Sequence, residues 1–275
     1  MTRGAGAVAL SDAGDARAYG GKAAQLAVAA RAGLPVPVGV ALPCPFVEAV
    51  TGGDPAALSQ LAVAAAPLGA PLAVRSSAVG EDSDAASFAG QHATVLNVPA
   101  AALAAAIHAV SQSVRSEAAL AYRRRLGITG KAEAGVVIQE MVDADAAGVL
   151  FCPHPVTGAD EVVIEAAWGL GGAVVDGLVS PDLFRVSVEG EVLERRRGVK
   201  QLELVPLAGG GTAERPAGAD RARALCLDDD QLARLHRLAT SCRRVFGGSQ
   251  DIEWAFAAGG LWLLQRRAVT HARRG

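Results

Sequence analysis

The sequence predicts an α+β protein in two lobes, and three observations carry that expectation. Hydrophobic residues make up 51% of the 275 residues and charged residues 20%, enough for a substantial core and too apolar for disorder. Helix-like and strand-like segments are both present. They mix without the regular strand–helix–strand beat of a doubly wound sheet, and no repeat of fixed period appears.

Residues 21–32 read as a helix that opens after Gly20-Gly21 and closes at Gly33, with Pro35 and Pro37 barring continuation. Leu72–Arg75 reads as a strand. A second helix starts near Pro99, because Leu103, Ile107, Val110 and Val114 fall on one apolar face. Gly135–Val142, Val149–Phe151 and Val162–Glu165 read as strands, and Phe184–Val188 with Val192–Arg195 as a hairpin turning at Glu189-Gly190. Residues 208–220, rich in Gly, Ala and Pro, read as a surface loop. Leu232–Val245 reads as a third helix, entered through three aspartates that suit its N-terminal dipole.

Composition excludes several classes. Lys plus Arg number 26 and Asp plus Glu 28, a net charge of −2 that offers no field for a nucleic-acid backbone. Cys44, Cys152, Cys226 and Cys242 form no CxxC pair, which argues against a zinc ribbon or a disulfide scaffold. The longest apolar stretches are broken by Pro67, Gly69 and Pro71 or carry His108, so no membrane partner is expected. Met1-Thr2-Arg3 leads into Gly and Ala rather than a hydrophobic signal segment, so the expected location is cytoplasmic. Alanine is so abundant that it inflates apparent helicity. Only Lys22, Lys131 and Lys200 are lysines, in a background where Arg is the default cation.

Three stretches carry chemistry. Asp251–Phe256 alternates, with Ile252, Trp254 and Phe256 on one face and Asp251 and Glu253 on the other; the return strand places Leu263, Gln265 and Arg267 together. If Gly259 centres a three-residue turn, Glu253 faces Gln265 and Asp251 faces Arg267. Two carboxylates, an amide oxygen and a guanidinium in one patch suit Mg²⁺ held against phosphates. The same pattern also fits a solvated strand face with cross-strand salt bridges. The second stretch is Val74-Arg75-Ser76-Ser77 running on to Gly90-Gln91, where a strand delivers Arg75 to a loop of small residues whose backbone could approach phosphates, although Ser- and Gly-rich loops are usually only turns. In the third, Tyr19-Gly20-Gly21-Lys22, a lysine stands at a helix start, where amides and dipole favour an anion, although a surface lysine fits as well.

Together these pieces resemble the N-terminal nucleotide-binding domain of the phosphoenolpyruvate synthase, pyruvate phosphate dikinase and rifampin phosphotransferase group. The matching stretches are GGKAAQL…AGLPVPVG at 20–39, AVRSSAVGED…ASFAGQHATVLNV at 73–98, VVIQEMV at 136–142, GVLFCPHPVTG at 148–158, VIEAAWGLGGAVVDGLVSPD at 163–182 and QDIEWAF…LLQRRAVT at 250–270. They follow one another in family order along the chain. The resemblance implies an α+β ATP-grasp fold over 1–275, with ATP held between lobes lying approximately at 1–138 and 139–275.

Carried residue by residue, it implies that Lys22 and Arg75 contact the ATP phosphates and that Gly90 and Thr94 belong to a phosphate-covering segment. Gln139, Glu140, Met141 and Val142 would read adenine, mainly through backbone. Glu253 and Gln265 would serve ATP and Mg²⁺, with Asp251 beside them as a third metal position. Arg267 would steady the phosphate in transfer and, with Arg75 and Lys22, form the catalytic set. The family's QxRP tail reads Gln265-Arg266-Arg267-Ala268 here. At 151–155 Cys152 replaces the usual Thr and His154 the usual Asp or Asn; a small semi-buried residue, not a catalytic thiol, is expected at 152.

Full enzymes of the family add a swivelling domain whose His accepts the phosphoryl group. Gly209–Ala213 resembles the start of the swivel motif, but Glu214 stands where His is needed and the segment precedes the hairpin; His92, His108, His154, His236 and His271 lack that context too. The expected activity is therefore an ATP- and Mg²⁺-dependent phosphotransferase of dikinase type, ATP to AMP, incomplete alone. It would pass phosphate to a His on a separate partner or to a small molecule. The alternatives are a nucleotide-binding module without turnover and an ATP-grasp carboxylate–amine ligase. Glu203 lies outside every motif, so Glu203→Ala is expected to weaken metal-dependent binding less than Glu253→Ala.

Overall fold

The computed structural model describes residues 6–79, 93–125 and 131–268, and the chain divides into two units. The first comprises Met1–Arg31, Pro37–Met141 and Leu207–Gly211, the second Ala32–Val36, Val142–Pro206 and Thr212–Gly275.

In the first unit the chain runs through β1 (Val8–Ala9), α1 (Ala16–Tyr19), α2 (Gly21–Arg31), β2 (Gly39–Leu42), α3 (Cys44–Thr51), α4 (Pro55–Ala65), β3 (Leu72–Ala78), β4 (Thr94–Val98), α5 (Leu103–Ser113), α6 (Glu117–Arg125) and β5 (Ala134–Glu140). The strands form one antiparallel sheet in the order β1-β2-β5-β3-β4. One face, with Leu72, Val74, Val136 and Ile138, packs with α3, α4 and α5, each such buried side chain contributing about 1.5–3 kcal/mol. The predicted stripe of α5 is realised: Leu103, Ile107 and Val110 are buried there. On the opposite face Ser77 Oγ of β3 accepts from the N–H of Ala23 in the first turn of α2 at 3.0 Å. That approach explains Gly20: its φ is +85°, and a Cβ there would stand 1.9 Å from the Ser77 carbonyl oxygen.

The second unit contains β6 (Ala146–Cys152), β7 (Glu161–Trp168), α7 (Gly172–Val175), β8 (Asp182–Ser187), β9 (Val192–Arg196), β10 (Leu202–Pro206), β11 (Thr212–Pro216), α8 (Ala219–Arg223), α9 (Asp229–Phe246), β12 (Gln250–Ala257) and β13 (Gly260–Ala268). Six strands form an antiparallel sheet in the order β13-β12-β6-β7-β8-β9. The aspartate run starts α9 through a capping box: Asp228 accepts from the Gln231 N–H at 2.8 Å, and the Gln231 side chain accepts from the Asp228 N–H at 2.9 Å. Leu232, Leu235, Leu238, Ala239 and Cys242 form its buried stripe. Arg234 of α9 lies over the Phe256 ring at 5.0 Å, so the helix covers the sheet face that carries Ile252, Trp254 and Phe256.

Three local expectations need correction. Residues 208–220 are not a plain loop: β10 and β11 pair from Leu202↔Pro216 to Pro206↔Thr212, and only the tip and the stretch beyond Pro216 lie outside the ladder. The turn of the β12–β13 hairpin has two residues, Ala258 and Gly259, both at positive φ. A bulge between Glu253 and Trp254 then restores the expected pairing beyond it. That bulge puts Leu263 opposite Trp254, so Leu263 is buried on the α9 side and does not accompany Gln265 and Arg267.

Of the three lysines, Lys22 and Lys200 are buried, and Lys131 pairs with Glu48 at the surface. Lys200 forms an ion pair with the fully buried Asp182, whose carboxylate also accepts from the N–H groups of Gly198 and Cys226, each at 2.8 Å. Glu203 carries a second buried charge network. It is buried and accepts from Arg215 at 2.7 Å and Arg221 at 2.6 Å, and Arg221 in turn stacks on Trp168. Among the described residues no helix is long and apolar enough to cross a membrane.

Candidate functional site

The candidate residues fall into two groups, one in each unit. In the first unit the ladder sets Arg75 opposite Thr94 on β4 and Val137 on β5. Ser77, two residues along β3 and on the same face as Arg75, holds the first turn of α2, where Lys22 stands. Lys22 is 3% and Arg75 7% exposed. Two cations buried on one side of a sheet, beside a helix start, make a place suited to an anion. Gly90 lies outside the described residues.

The segment from Gln139 to Met141 ends β5 in the first unit, and Val142 begins the next stretch of the second. The Gln139 side chain is spent internally, donating from Nε2 to the Pro37 carbonyl at 3.0 Å. The Glu140 carboxylate accepts from the Gly69 N–H at 2.9 Å. The N–H groups of Glu140 and Met141 donate to the carbonyls of Val38 and Pro71. The side chains of Gln139 and Glu140 and the N–H groups of Glu140 and Met141 thus fix the strand.

In the second unit β12 and β13 place Asp251 opposite Arg267 and Glu253 opposite Gln265. Arg267 Nη2 lies 3.6 Å from Glu253 Oε1, a diagonal ion pair on a face away from α9. Burial, with the Glu253 carboxylate adding to it and the Arg267 guanidinium opposing it, pushes the Asp251 carboxyl up to about 6. Gln265 is buried, and its Nε2 has no hydrogen-bond partner among the described residues. A buried amide left short of a partner marks a place that awaits one. The same ladder row continues from Glu253 through Val149 to Glu165 on β7. That places a third carboxylate two strands away, about 10 Å. The sequence motifs did not single it out, because only the pairing of three strands puts it in the row.

Two carboxylates with one amide oxygen are hard donors of the kind Mg²⁺ takes, and a divalent cation bound there would favour the ionised form of Asp251 that burial disfavours. Among the described residues no group of three or more His, Cys, Asp or Glu comes together as a metal set, so the candidate set is this mixed one. Turning the Gln265 amide over presents its oxygen where Nε2 now stands.

The substituted positions in the β6–β7 loop have structural explanations. Cys152 is buried and its thiol is raised by burial, which makes it inert rather than nucleophilic. His154 Nδ1 accepts from the N–H groups of Val156 at 3.1 Å and Thr157 at 3.3 Å. That is the acceptor role an Asp or Asn plays in a turn. Of the other histidines, His236 meets the Val188 carbonyl at 2.9 Å and His108 lies on α5, while His92 and His271 fall outside the described residues.

Comparison with known proteins adds the following. The family described as "Pyruvate phosphate dikinase, AMP/ATP-binding domain" matches residues 55–275. Similar proteins include a rifampicin phosphotransferase of Streptomyces sviceus, 43% identical over 201 residues, covering 72% of this chain and 23% of that protein. A probable phosphoenolpyruvate synthase of Methanothermobacter thermautotrophicus is 37% identical over 202 residues, covering 72% and 29%. The prodigiosin synthesizing transferase PigC of Serratia marcescens is 37% identical over 280 residues, covering 91% and 31%. The chain thus spans between about a quarter and a third of these relatives' length. Among solved structures, the VanG D-Ala:D-Ser ligase of Enterococcus faecalis aligns over 90% of this chain and 51% of its own, with 14% identity and a TM-score of 0.45.

Proposed function

The chain belongs to the pyruvate phosphate dikinase AMP/ATP-binding domain family, with the α+β ATP-grasp architecture expected from its sequence, and from that premise we propose that it is the ATP-binding component of a dikinase-type phosphotransferase. Residues 1–275 act as one ATP-binding domain, with approximate lobes 1–138 and 139–275. ATP is converted to AMP, and phosphate passes to a His on a separate partner or to a small molecule. The observation that carries this reading is the hairpin patch: two carboxylates and a guanidinium beside a buried amide whose nitrogen has no partner among the described residues. A merely solvated salt-bridged strand face would not need the buried amide.

In this reading Lys22 and Arg75 bind the phosphate chain, Gly90 and Thr94 cover it, and Gln139–Val142 hold the base. Asp251, Glu253 and Gln265 would hold Mg²⁺, which when bound supplies charge neutralisation on the phosphate oxygens. Glu253 orients Arg267 through their ion pair. The planar guanidinium then offers paired N–H donors to the equatorial oxygens of the group in transfer, where charge is developing. The work is positioning and electrostatics, with no covalent chemistry asked of these residues.

Titration calorimetry with MgATP tests the binding half of the proposal. Saturable heat that is lost when Arg75 or Glu253 is replaced by Ala is the expected result. No heat and no thermal shift at millimolar MgATP would refute it.

A further inference from the structure

We propose that Asn97 is a positioning residue that fixes the base-holding end of the nucleotide site, an inference that rests on the reading of Gln139–Val142 just given. Asn97 sits in a bulge of β4. Between the pairs Leu72↔Val98 and Val74↔Val95 the β3 strand has one residue and β4 has two. The neighbouring strand pairs Ala73, the single residue facing that bulge, with Gln139 on β5. The bulge therefore lies in the same row as the start of the base-holding segment. Its backbone is left-handed at Asn97, φ 56°, a conformation Asn tolerates better than other side chains with a Cβ. Bulges of this kind re-aim a side chain.

Here the re-aimed group is fully used. Asn97 is 5% exposed, and its Nδ2 donates to the carbonyls of Leu207 at 2.7 Å and Gly211 at 2.6 Å. The Gly211 N–H donates back to the Asn97 carbonyl at 2.9 Å. The Asn97 N–H donates to Sδ of Met141 at 2.9 Å. One residue thus holds the tip of the β10–β11 hairpin and the Met141 side chain together at the end of β5. The contact is closed on its far side as well: a Cβ at Gly210 would meet Pro99 Cδ at 2.9 Å. Gln139 and Glu140 are tied down by their own side chains, whereas the Met141 side chain is held by the Asn97 N–H, whose place in turn depends on the side-chain bonds of Asn97 to the hairpin tip. Asn97 spends its side-chain N–H groups on Leu207 and Gly211 and its backbone N–H on Met141, none of them a candidate phosphate ligand. Its effect falls on how the base is held, and therefore on affinity for the nucleoside part of ATP.

The test compares the full-length protein with Asn97→Gly, which keeps the left-handed backbone and removes only the side chain, and with Met141→Leu, which removes the sulfur acceptor at nearly constant volume. Calorimetry is run with MgATP and, separately, with inorganic tripolyphosphate. Hydrogen exchange reads the amides of 139–142 and 207–211. Asn97→Gly should weaken MgATP binding about three-fold, because the hairpin tip at 207–211 loses the two side-chain donors that hold it beside Met141. It should leave tripolyphosphate binding unchanged and accelerate exchange in both segments. Met141→Leu should show a smaller loss for ATP alone. Equal loss for ATP and tripolyphosphate, or unchanged exchange at 207–211, would overturn the positioning role. A wild-type protein that binds neither probe would refute the nucleotide reading itself, and the positioning role with it. Wild-type binding that Asn97→Gly leaves intact would refute the positioning role alone.

Discussion

Replacing Asp251 by Asn should stabilise the nucleotide-free protein at neutral pH and leave it unchanged in acid. Burial and the Glu253 carboxylate lift the Asp251 carboxyl from 3.8 to about 6 in the folded state. A carboxyl raised on folding binds its proton more tightly in the native protein, so ionising it costs stability. Below about pH 4 both states are protonated and nothing is lost; the cost grows through pH 4 to 6 and is complete above about 6. The full interval corresponds to about 3 kcal/mol. Asp251 retains some solvent contact, which reduces the expected gain for Asp251→Asn to about 1–3 kcal/mol. Urea unfolding of both proteins at pH 4 and pH 7.5, compared as differences in midpoint, measures it. The difference should be near zero at the lower pH and favour Asn at the higher. A difference independent of pH, or an Asn variant less stable at pH 7.5, would refute the argument that this carboxylate is held at a cost in the free protein.

The remaining predictions follow from the same geometry. Glu253→Ala should abolish the Mg²⁺-dependent part of ATP binding, whereas Glu189→Ala, at an exposed turn, should not; calorimetry with and without Mg²⁺ separates them, and equal effects would mean that the hairpin is not the metal site. Lys200→Met should cost about 3–5 kcal/mol by leaving Asp182 as an uncompensated buried charge. A urea midpoint shift corresponding to less than 1 kcal/mol would show that the backbone donors to Asp182 suffice without the lysine.

The parts of the fold legible in the sequence are those whose signals are local. The capping box and buried stripe of α9, the glycine and proline punctuation of α2, and the alternation of β12 all lie within a few residues of one another. The pairing of Asp251 with Arg267 was reached through a three-residue turn, whereas the chain uses a two-residue turn and a bulge. The two errors in register cancel at the site and leave Leu263 misplaced. Bulges leave no periodic trace, and for the same reason nothing local in the sequence distinguishes Asn97, whose bulge appears only when β3 and β4 are paired. The strand hidden in 208–220 pairs with Leu202–Pro206, and the Gly, Ala and Pro around it mask a ladder whose side-chain pair, Glu203 with Arg215, shows only once the strands are paired. Lys200 and Glu203 were invisible for a different reason: their partners, Asp182, Arg215 and Arg221, are 12 to 18 residues away, and nothing local distinguishes a buried charge from a solvated one. Lys22 and Arg75 were legible as residues, but their common face depends on Ser77 holding α2 against β3.

Phosphorus NMR of ATP turnover, with and without a separately produced swivel-His domain, tests the central claim most directly. The protein alone should consume ATP slowly, because in-line transfer needs an acceptor held about 3–3.5 Å from the phosphorus. With the His domain present, AMP and a phosphorylated imidazole should appear. Arg267→Ala should suppress that transfer far more than it weakens ATP binding, as expected of a contact made chiefly in the transition state. Fast turnover by the lone chain, indifferent to Arg267→Ala, would contradict the account. So would stoichiometric ADP formed with a carboxylate or amino acid acceptor, which would place the chain with the ligases instead.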